Sequence, residues 1–181
     1  MKIAIYIRQY TAENESILQQ LFSLFTPDDQ VYIEQEILSE LQLRSDTFNS
    51  AKSFASFEDL NPSYDVMLTI GGDGTLLKGI TYVRSLQIPI LGINAGRLGF
   101  LATAHKDDLP NVLEQLRKGD YQVVERSVIE AVFADTGEPV DTVNFALNEI
   151  TVTRKNTASM ITVDTELNGD YLCSYWADGL I

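Results

Sequence analysis

Cysteine and histidine are nearly absent from this sequence of 181 residues, which contains only Cys173 and His105. A single cysteine excludes an internal disulfide and a metal site built from several cysteines, and it fits a reducing, cytoplasmic setting. A single histidine excludes a zinc site of the HExxH type and disfavours a hydrolase that depends on a histidine base. The chemistry of this protein is therefore expected to rest on other residue types.

Basic residues are also scarce, because 13 lysines and arginines face 26 aspartates and glutamates, for a formal charge of −13. Such a surface repels nucleic-acid backbones and anionic lipid, so neither nucleic acid nor a membrane is a predicted partner. Any polyanion that this protein binds needs a local binding site, formed by backbone N–H groups, a metal ion or a few well-placed cations.

Long apolar runs are missing as well. No segment approaches the roughly 20 apolar residues that span a bilayer. The opening MKIAIYIRQY is interrupted by Arg8 and then by polar residues, so it does not match a signal peptide. With 45% hydrophobic and 22% charged residues, the composition is that of an ordinary globular protein with a sizeable core.

The first half of the chain alternates between strand and helix patterns. Helices are predicted over 15–25, 36–43 and 75–86, and strands over 3–7, 31–33, 65–70 and 88–93. The segment 45–61 is ambiguous. Apolar strands separated by helices indicate an α/β domain with a parallel sheet covered on both faces.

The pattern changes after residue 104. A helix is predicted over 107–118 with Gly119 as its stop, and alternating strands are predicted over 121–134, 140–146, 150–153, 160–167 and 171–175. Asn168-Gly169 is a strong hairpin signal. The sequence thus predicts an α/β nucleotide-binding domain over 1–104 and, over 105–181, a helix followed by an incomplete antiparallel β domain. A strand run that stops at Ile181 suggests a shortened chain or an edge covered by a partner.

The strongest local signal is the turn Gly71-Gly72-Asp73-Gly74-Thr75, between a buried strand and a helix. Glycines at the carboxyl end of a parallel strand let backbone N–H groups approach a ligand, and the following helix N-terminus favours phosphate. Asp73 is unusual there, because a carboxylate repels phosphate. It either accepts a proton from an attacking hydroxyl, holds a divalent cation between phosphates, or only caps the helix.

Weaker signals accompany this turn. In the segment 92–101, Phe100 is either a platform for a base or a core residue, and Arg97 is either a phosphate partner or an exposed cation. The pair Asn148-Glu149 offers amide and carboxylate groups to a ribose or an adenine, or it is a plain turn. Lys78, five residues beyond Asp73, either reaches a phosphate or is solvated, and the pair Asp178-Gly179 is equally uninformative alone.

Together, the segments GGDGTLL, GINAGRLGFLA, ALNEITV and DGLI resemble the NAD kinase family in their order and spacing, over essentially the whole chain. The stretch VYIEQEILSELQL also resembles bacterial members. The resemblance implies a Rossmann-like α/β N-terminal domain, related to diacylglycerol kinases and phosphofructokinases, and the start of an all-β C-terminal domain. It also implies C-terminal truncation, because the serine- and threonine-rich segment that follows DGLI in the family is missing.

The implied activity is phosphoryl transfer from ATP, or from polyphosphate in some members, to the adenosine 2′-hydroxyl of NAD, with Mg²⁺ or Mn²⁺, in a dimer or tetramer. Asp73 matches the catalytic aspartate, which activates that hydroxyl. Other residues match family positions that contact phosphate or dinucleotide: Gly71, Gly72, Gly74, Thr75, Lys78, Phe100, Asn148, Glu149, Ser159 and Asp178.

Two alternatives stay open at this point. The GGDG loop is shared with lipid kinases of the diacylglycerol and sphingosine type, although no additional apolar segment for a lipid is visible. The second alternative is a nucleotide-binding module without catalysis, which the missing serine- and threonine-rich segment favours.

Overall fold

The computed structural model describes residues 1–96, 99–155 and 159–181. The chain divides into two compact units, Met1–Val123 and Val124–Ile181. The buried core lies in the first unit, whereas none of the described residues of the second unit is buried.

Six parallel strands form the centre of the first unit, within its described residues. In chain order they are β1 (Lys2–Ile7), β2 (Gln30–Glu34), β3 (Lys52–Phe54), β4 (Val66–Ile70), β5 (Ile90–Asn94) and β6 (Ala104–His105). The spatial order β3-β2-β1-β4-β5-β6 places β1 beside β4, with Ile3 opposite Val66 and Ile7 opposite Ile70. This is the order of doubly wound nucleotide-binding sheets, and it confirms the predicted α/β fold.

Helices cover both faces of this sheet. The α-helices of the described first unit are α1 (Ala12–Leu24), α2 (Gln35–Gln42), α3 (Asp73–Val83) and α4 (Leu109–Lys118). Because strand side chains alternate between faces, Ile3 and Ile5 pack with buried residues of α1, α2 and α4. Tyr6 points to the opposite face and packs in the cluster that contains Val83 of α3. Burial on both faces explains why these strands are apolar throughout.

Helix ends follow the local sequence. The hydroxyl of Thr11 accepts a hydrogen bond from the N–H of Asn14 at 3.1 Å and so caps α1. Gly119 ends α4 in the left-handed conformation, at a φ of 68°, and it confirms the predicted stop. Helix α4 packs against α1, and its Leu109 and Leu113 belong to the same buried cluster. The first unit therefore includes α4, and a domain boundary after residue 104 stays a prediction.

Short edge strands are the elements that the sequence pattern does not predict. The ambiguous segment 45–61 contains β3 and two turns of 3-10 helix, and β6 follows the segment 92–101. Strands of two or three residues carry too little periodicity to be detected, and they form because a neighbouring strand offers its edge.

The second unit contains short antiparallel pairs in its described residues. Its strands are β7 (Ile129–Glu130), β8 (Phe145–Ala146), β9 (Val152–Thr153), β10 (Ile161–Leu167), β11 (Asp170–Ala177) and β12 (Gly179–Leu180). The predicted hairpin is present, since β10 pairs with β11 through Asn168 and Gly169, at φ values of 55° and 90°. The predicted long strand over 121–134 is wrong, because only Ile129–Glu130 forms a strand there, followed by an isolated bridge between Val132 and Pro139. The alternating apolar residues find no core.

No helix in the described part of the chain is both long and apolar enough to cross a bilayer.

Candidate functional site

The candidate site lies where β1 and β4 end side by side at the centre of the sheet. From β1 the chain turns to α1 on one face, and from β4 it turns to α3 on the other face. In open parallel sheets, ligands bind in the crevice that such a divergence opens beyond the carboxyl ends of the strands. A cavity of about 360 Å³ occupies this position, lined by residues of the segments 8–14 and 70–75.

The glycine turn after β4 is shaped for close approach of its backbone. Gly71 has a φ of 147°, and a Cβ there would lie 3.0 Å from the Cβ of Thr75, so a side chain at this position is excluded. Gly72 is the N-cap of α3 and offers no side chain to the first-turn N–H groups. Helix α3 therefore begins without the side-chain cap that Thr11 gives to α1, and its N-terminal amides face the crevice end of the sheet.

Asp73 binds across to a different loop. It is the first residue of α3, and its Oδ2 accepts a hydrogen bond from the N–H of Phe100 at 2.8 Å. Its Oδ1 accepts from the N–H groups of Leu101 and Ala102 at 2.9 and 3.0 Å. The reading of Asp73 as a mere cap of its own helix is therefore wrong, because its described partners all lie in the loop between β5 and β6.

These hydrogen bonds control the charge of Asp73. The N–H groups of Ala102, Leu101 and Phe100, in decreasing order of effect, hold the pKa of the carboxyl below its ordinary value. Asp73 is thus ionised at neutral pH. A carboxylate has about four acceptor positions, and three N–H groups use three of them, so room for one more donor remains.

Gly99 allows this contact. A Cβ on Gly99 would lie 2.6 Å from Cγ of Asp73, which is closer than such atoms come in proteins. The glycine of the LGFL segment is therefore needed for the carboxylate to reach the amides beyond it. The segment 99–102 and the turn 71–74 consequently form one site, although 24 residues lie between Gly74 and Gly99.

Of the other predicted residues of the first unit, Phe100 and Lys78 lie at the surface and Thr75 does not. Phe100 is 95% exposed, so it is not a core aromatic. Lys78 is exposed on the second turn of α3. Thr75 is buried and lines the cavity beside Gly71. Arg97, the candidate phosphate partner, lies outside the described residues.

The remaining predicted residues belong to the second unit. Asn148 and Glu149 are exposed between β8 and β9, and Asp178 is exposed between β11 and β12. Arg154 connects two of the predicted positions: its Nη1 pairs with Oδ1 of Asp178 at 2.8 Å and donates to the carbonyl of Ser159 at 3.3 Å. Pairing of β9 with β12 places Arg154 next to Asp178 in this way.

Three residues of this arrangement received no role of their own from the sequence, although Gly99 belongs to the segment 92–101 that it singles out. Arg8 lines the cavity at the end of β1, Gly99 admits the Asp73 contact, and Arg154 joins Asp178 to Ser159. For Arg8 a signal was present, since a cation directly after the first strand of a parallel sheet lies at the ligand-binding edge. Nothing in the sequence pairs Arg154 with Asp178, because their contact depends on strand register.

Among the described residues, no group of three or more His, Cys, Asp or Glu side chains is placed to hold a metal ion. Asp73 is the carboxylate of the glycine turn, and its oxygens already face N–H groups. A Mg²⁺ ion often binds through substrate phosphates and only one or two carboxylates, so these residues fit a metal that arrives with a nucleotide better than a resident metal.

Known proteins have sequences similar to this one. The sequence pattern of the ATP-NAD kinase N-terminal domain matches residues 6–121. The chain is 43% identical over 182 residues to an NAD kinase of Flavobacterium psychrophilum, and 46% identical over 183 residues to one of Christiangramia forsetii. Each alignment covers 100% of this chain and 62% of the relative, so the chain spans less than two thirds of their length.

The fold is also found in a solved structure. A crystal structure of yeast NADH kinase complexed with NADH superposes with a TM-score of 0.79 over 99% of this chain and 56% of the yeast chain. The sequences are 20% identical, so this likeness concerns the fold.

The family pattern covers most of the first unit, from the end of β1 to just beyond α4, and includes the Asp73 turn and the segment 99–102. The chain belongs to the ATP-NAD kinase family, whose N-terminal domain it contains.

Proposed function

We propose that this chain is part of an NAD kinase, which transfers a phosphoryl group from ATP to the 2′-hydroxyl of the adenosine ribose of NAD and so forms NADP. The observation that carries the proposal is the ionised Asp73 carboxylate beside an uncapped glycine turn, at the carboxyl edge of the sheet. Membership of the ATP-NAD kinase family and relatives that are themselves NAD kinases support the choice of substrates.

Asp73 is proposed as the base that accepts the proton of the ribose hydroxyl. Three N–H groups orient the carboxylate and lower its pKa, and this makes it a weaker base than a free carboxylate. Its free acceptor position favours a hydrogen bond from the hydroxyl, and the proton moves as the oxygen attacks the phosphorus. Orientation is thus gained at some cost in basicity.

The backbone of Gly71, Gly72 and Gly74 is proposed to hold donor phosphates, with Thr75 beside it. Uncapped N–H groups at the start of α3 supply partial positive charge without a net basic surface, which suits a chain of charge −13. A divalent metal, when bound with the nucleotide, neutralises phosphate charge. ATP is the proposed donor, and inorganic polyphosphate shares the chemistry that this turn recognises.

The residues that match dinucleotide contacts of the family are proposed to bind NAD. In the first unit the exposed ring of Phe100 offers an apolar face to a base, and Lys78 offers a cation. In the second unit the proposed contacts are Asn148, Glu149, Ser159 and Asp178, whose exposed polar groups suit ribose hydroxyls and an adenine edge.

A homo-oligomer in the cytoplasm is proposed for the working enzyme. Large apolar side chains of the second unit are exposed, among them Leu172 at 60% and Trp176 at 75%, and subunit contact would remove them from water. The free, exposed Cys173 is compatible with a reducing compartment.

The direct test is an assay for NADP with NAD, ATP and Mg²⁺, run beside calorimetric titrations of NADP and ATP into the same chain. NADP formation supports the proposal, and diacylglycerol as the alternative acceptor should give no product. Binding of NADP and ATP without turnover would instead identify a dinucleotide-binding module without catalysis. Absence of both binding and turnover would contradict the proposal.

The role of Asp73 predicts the behaviour of Asp73→Asn. We expect turnover to fall by at least about 10²-fold while NAD still binds, because an amide accepts no proton. The amide also points an NH₂ group at a backbone N–H, so the loop 99–102 is disturbed as well. The variant Gly99→Ala disturbs this loop but keeps the carboxylate, and its smaller loss of turnover separates the two effects. Near-normal turnover by Asp73→Asn would refute the base.

A further inference from the structure

The cavity at the ends of β1 and β4 contains a cation to which no role has been given. Arg8 is the first residue after β1, and it lines the cavity together with Thr11, Asn14, Gly71 and Thr75. The chain leaves β1 toward one face of the sheet and leaves the neighbouring β4 toward the other face. The crevice between these two segments is the expected ligand position of this fold.

Arg8 makes no hydrogen bond or ion pair with any residue in the part of the chain that the structure describes. The other described arginines of the first unit do have partners: Arg44 pairs with Glu40, Arg84 donates to the carbonyl of Thr81, and Arg117 pairs with Asp29. An arginine without a partner is notable in a protein with twice as many acidic as basic residues.

A carboxylate is nevertheless close at hand. Glu13 lines the same cavity, but its Oε1 accepts a hydrogen bond from the ammonium of Lys106 at 2.6 Å. Lys106 follows β6, and this ion pair offsets the negative charge of Glu13. The guanidinium therefore keeps its donors, and the cavity is not made repulsive to anions by Glu13.

The guanidinium also lies against the glycine turn. A Cβ on Gly74 would be 3.8 Å from Nη1 of Arg8, so the bare backbone at the second residue of α3 borders this cation directly. A phosphate that accepts hydrogen bonds from the first-turn amides of α3 is consequently within reach of Arg8. Guanidinium groups bind phosphate oxygens through paired N–H donors.

We propose that Arg8 binds the terminal phosphates of the phosphoryl donor in this cavity, an inference that rests on the proposed kinase function. Asp73 faces the opposite way, because its partners follow β5, whereas Arg8 follows β1. In the sheet order β1-β4-β5, the turn after β4 lies between them. The donor therefore approaches the turn from the β1 side, and the hydroxyl that receives the phosphoryl group approaches from the β5 side.

Arg8 recognises a linear chain of phosphates, which ATP and inorganic polyphosphate share. Calorimetric titrations of ATP, tripolyphosphate and adenosine into the chain separate the two sources. If Arg8 binds phosphate, Arg8→Gln lowers the affinity for ATP and for tripolyphosphate by at least about tenfold, the usual loss for a hydrogen bond to a charged group. Arg8→Lys retains part of the affinity, because it keeps a point charge without the paired donors.

Arg44→Gln is the matched control, because it removes the same charge from another exposed position that pairs with Glu40. It should leave both affinities within about twofold. Thermal unfolding of each variant reports whether the fold is intact. Equal phosphate affinity in Arg8→Gln and Arg44→Gln would overturn this inference and leave the proposed function standing. Failure of the unsubstituted chain to bind either phosphate chain would overturn the proposed function and this inference with it.

Discussion

The contact between Asp73 and the loop at 99–102 shows how one side chain joins two motifs that are distant in the sequence. The carboxylate needs three N–H groups from consecutive residues, Phe100 to Ala102, and it needs a position without a side chain at Gly99. Asp73 therefore acts on its surroundings in two ways: it is the proposed base, and it fixes the loop that carries Phe100.

Substitution of Gly99 by alanine tests this coupling. The added Cβ would approach Cγ of Asp73 to 2.6 Å, so the loop or the carboxylate must move, and the hydrogen bonds weaken. We expect the pKa of Asp73 to rise toward its ordinary value of 3.8, because these N–H groups are what lowers it. Carboxyl carbon NMR shifts recorded against pH measure the change.

Gly96→Ala is the matched control, because a Cβ at Gly96 meets no atom of the described residues within 4 Å. Its Asp73 titration should overlay that of the unsubstituted chain. An unchanged Asp73 titration in Gly99→Ala would mean that the loop adapts and that the glycine is not required for the contact.

Among the elements, β1, α1 and α4 are held together by one carboxylate. Asp29 follows α1, and its side chain is only 2% exposed. It accepts hydrogen bonds from the N-terminal ammonium of Met1 at 2.8 Å, from the N–H of Thr26 at 2.8 Å and from Arg117 of α4 at 2.9 Å. Burial alone raises the pKa of Asp29, but the ammonium, Thr26 and Arg117 outweigh it and hold the pKa well below its usual range.

Asp29→Asn should lower the free energy of unfolding by about 3 kcal/mol at neutral pH, the usual cost of breaking a buried ion pair. Because the folded-state pKa lies below the unfolded value of 3.8, the stabilisation is complete above that pH and declines as the pH falls further. The difference between the two proteins should therefore shrink in acid. Urea unfolding at neutral pH and at about pH 3 measures it.

The neighbouring substitution Asp28→Asn changes the net charge equally at an exposed position. We expect it to change the unfolding free energy by less than about 0.5 kcal/mol. If both variants lose the same free energy of unfolding, the loss comes from the change in net charge. The contacts of Asp29 would then contribute no stability of their own.

At the scale of the whole molecule, burial separates the two units. Side chains such as Ile3, Leu68 and Ile93 are fully buried in the first unit, whereas no described residue from 124 onward is buried. Backbone pairing alone stabilises little, and an isolated two-stranded hairpin is marginal in water. The two units should therefore differ in stability.

Hydrogen exchange should reveal this difference. Amides of β1, β4 and β5 are expected to exchange only through global unfolding, while those of β10 and β11 exchange orders of magnitude faster, because no core protects them. Mass-spectrometric exchange of peptides from both regions measures it. Slow exchange of β10 and β11 in a monomer would contradict the inference, whereas protection that grows with protein concentration would indicate self-association over the exposed apolar residues.

The predicted fold succeeded where the signal is long. The strands over 3–7 and 65–70 and the helices that follow them are apolar at fixed periods, and their positions were predicted to within a few residues. The prediction over 121–134 was wrong, because alternation of apolar residues indicates a strand only when a face exists to bury them. The boundary of the domains and the roles of the site residues stay predictions.

The amino-acid sequence alone determined the parallel α/β class, the glycine turn after β4, the helix stop at Gly119 and the hairpin turn at Asn168-Gly169. Each depends on local periodicity or on the backbone freedom of a few residues. Only the tertiary structure decided that Asp73 binds the amides of 100–102, that Arg8 lies beside Gly74 without a partner among the described residues, and that Lys106 pairs with Glu13. These contacts join residues that are distant in the chain, and their geometry is set by strand order and helix packing, on which local sequence carries no information.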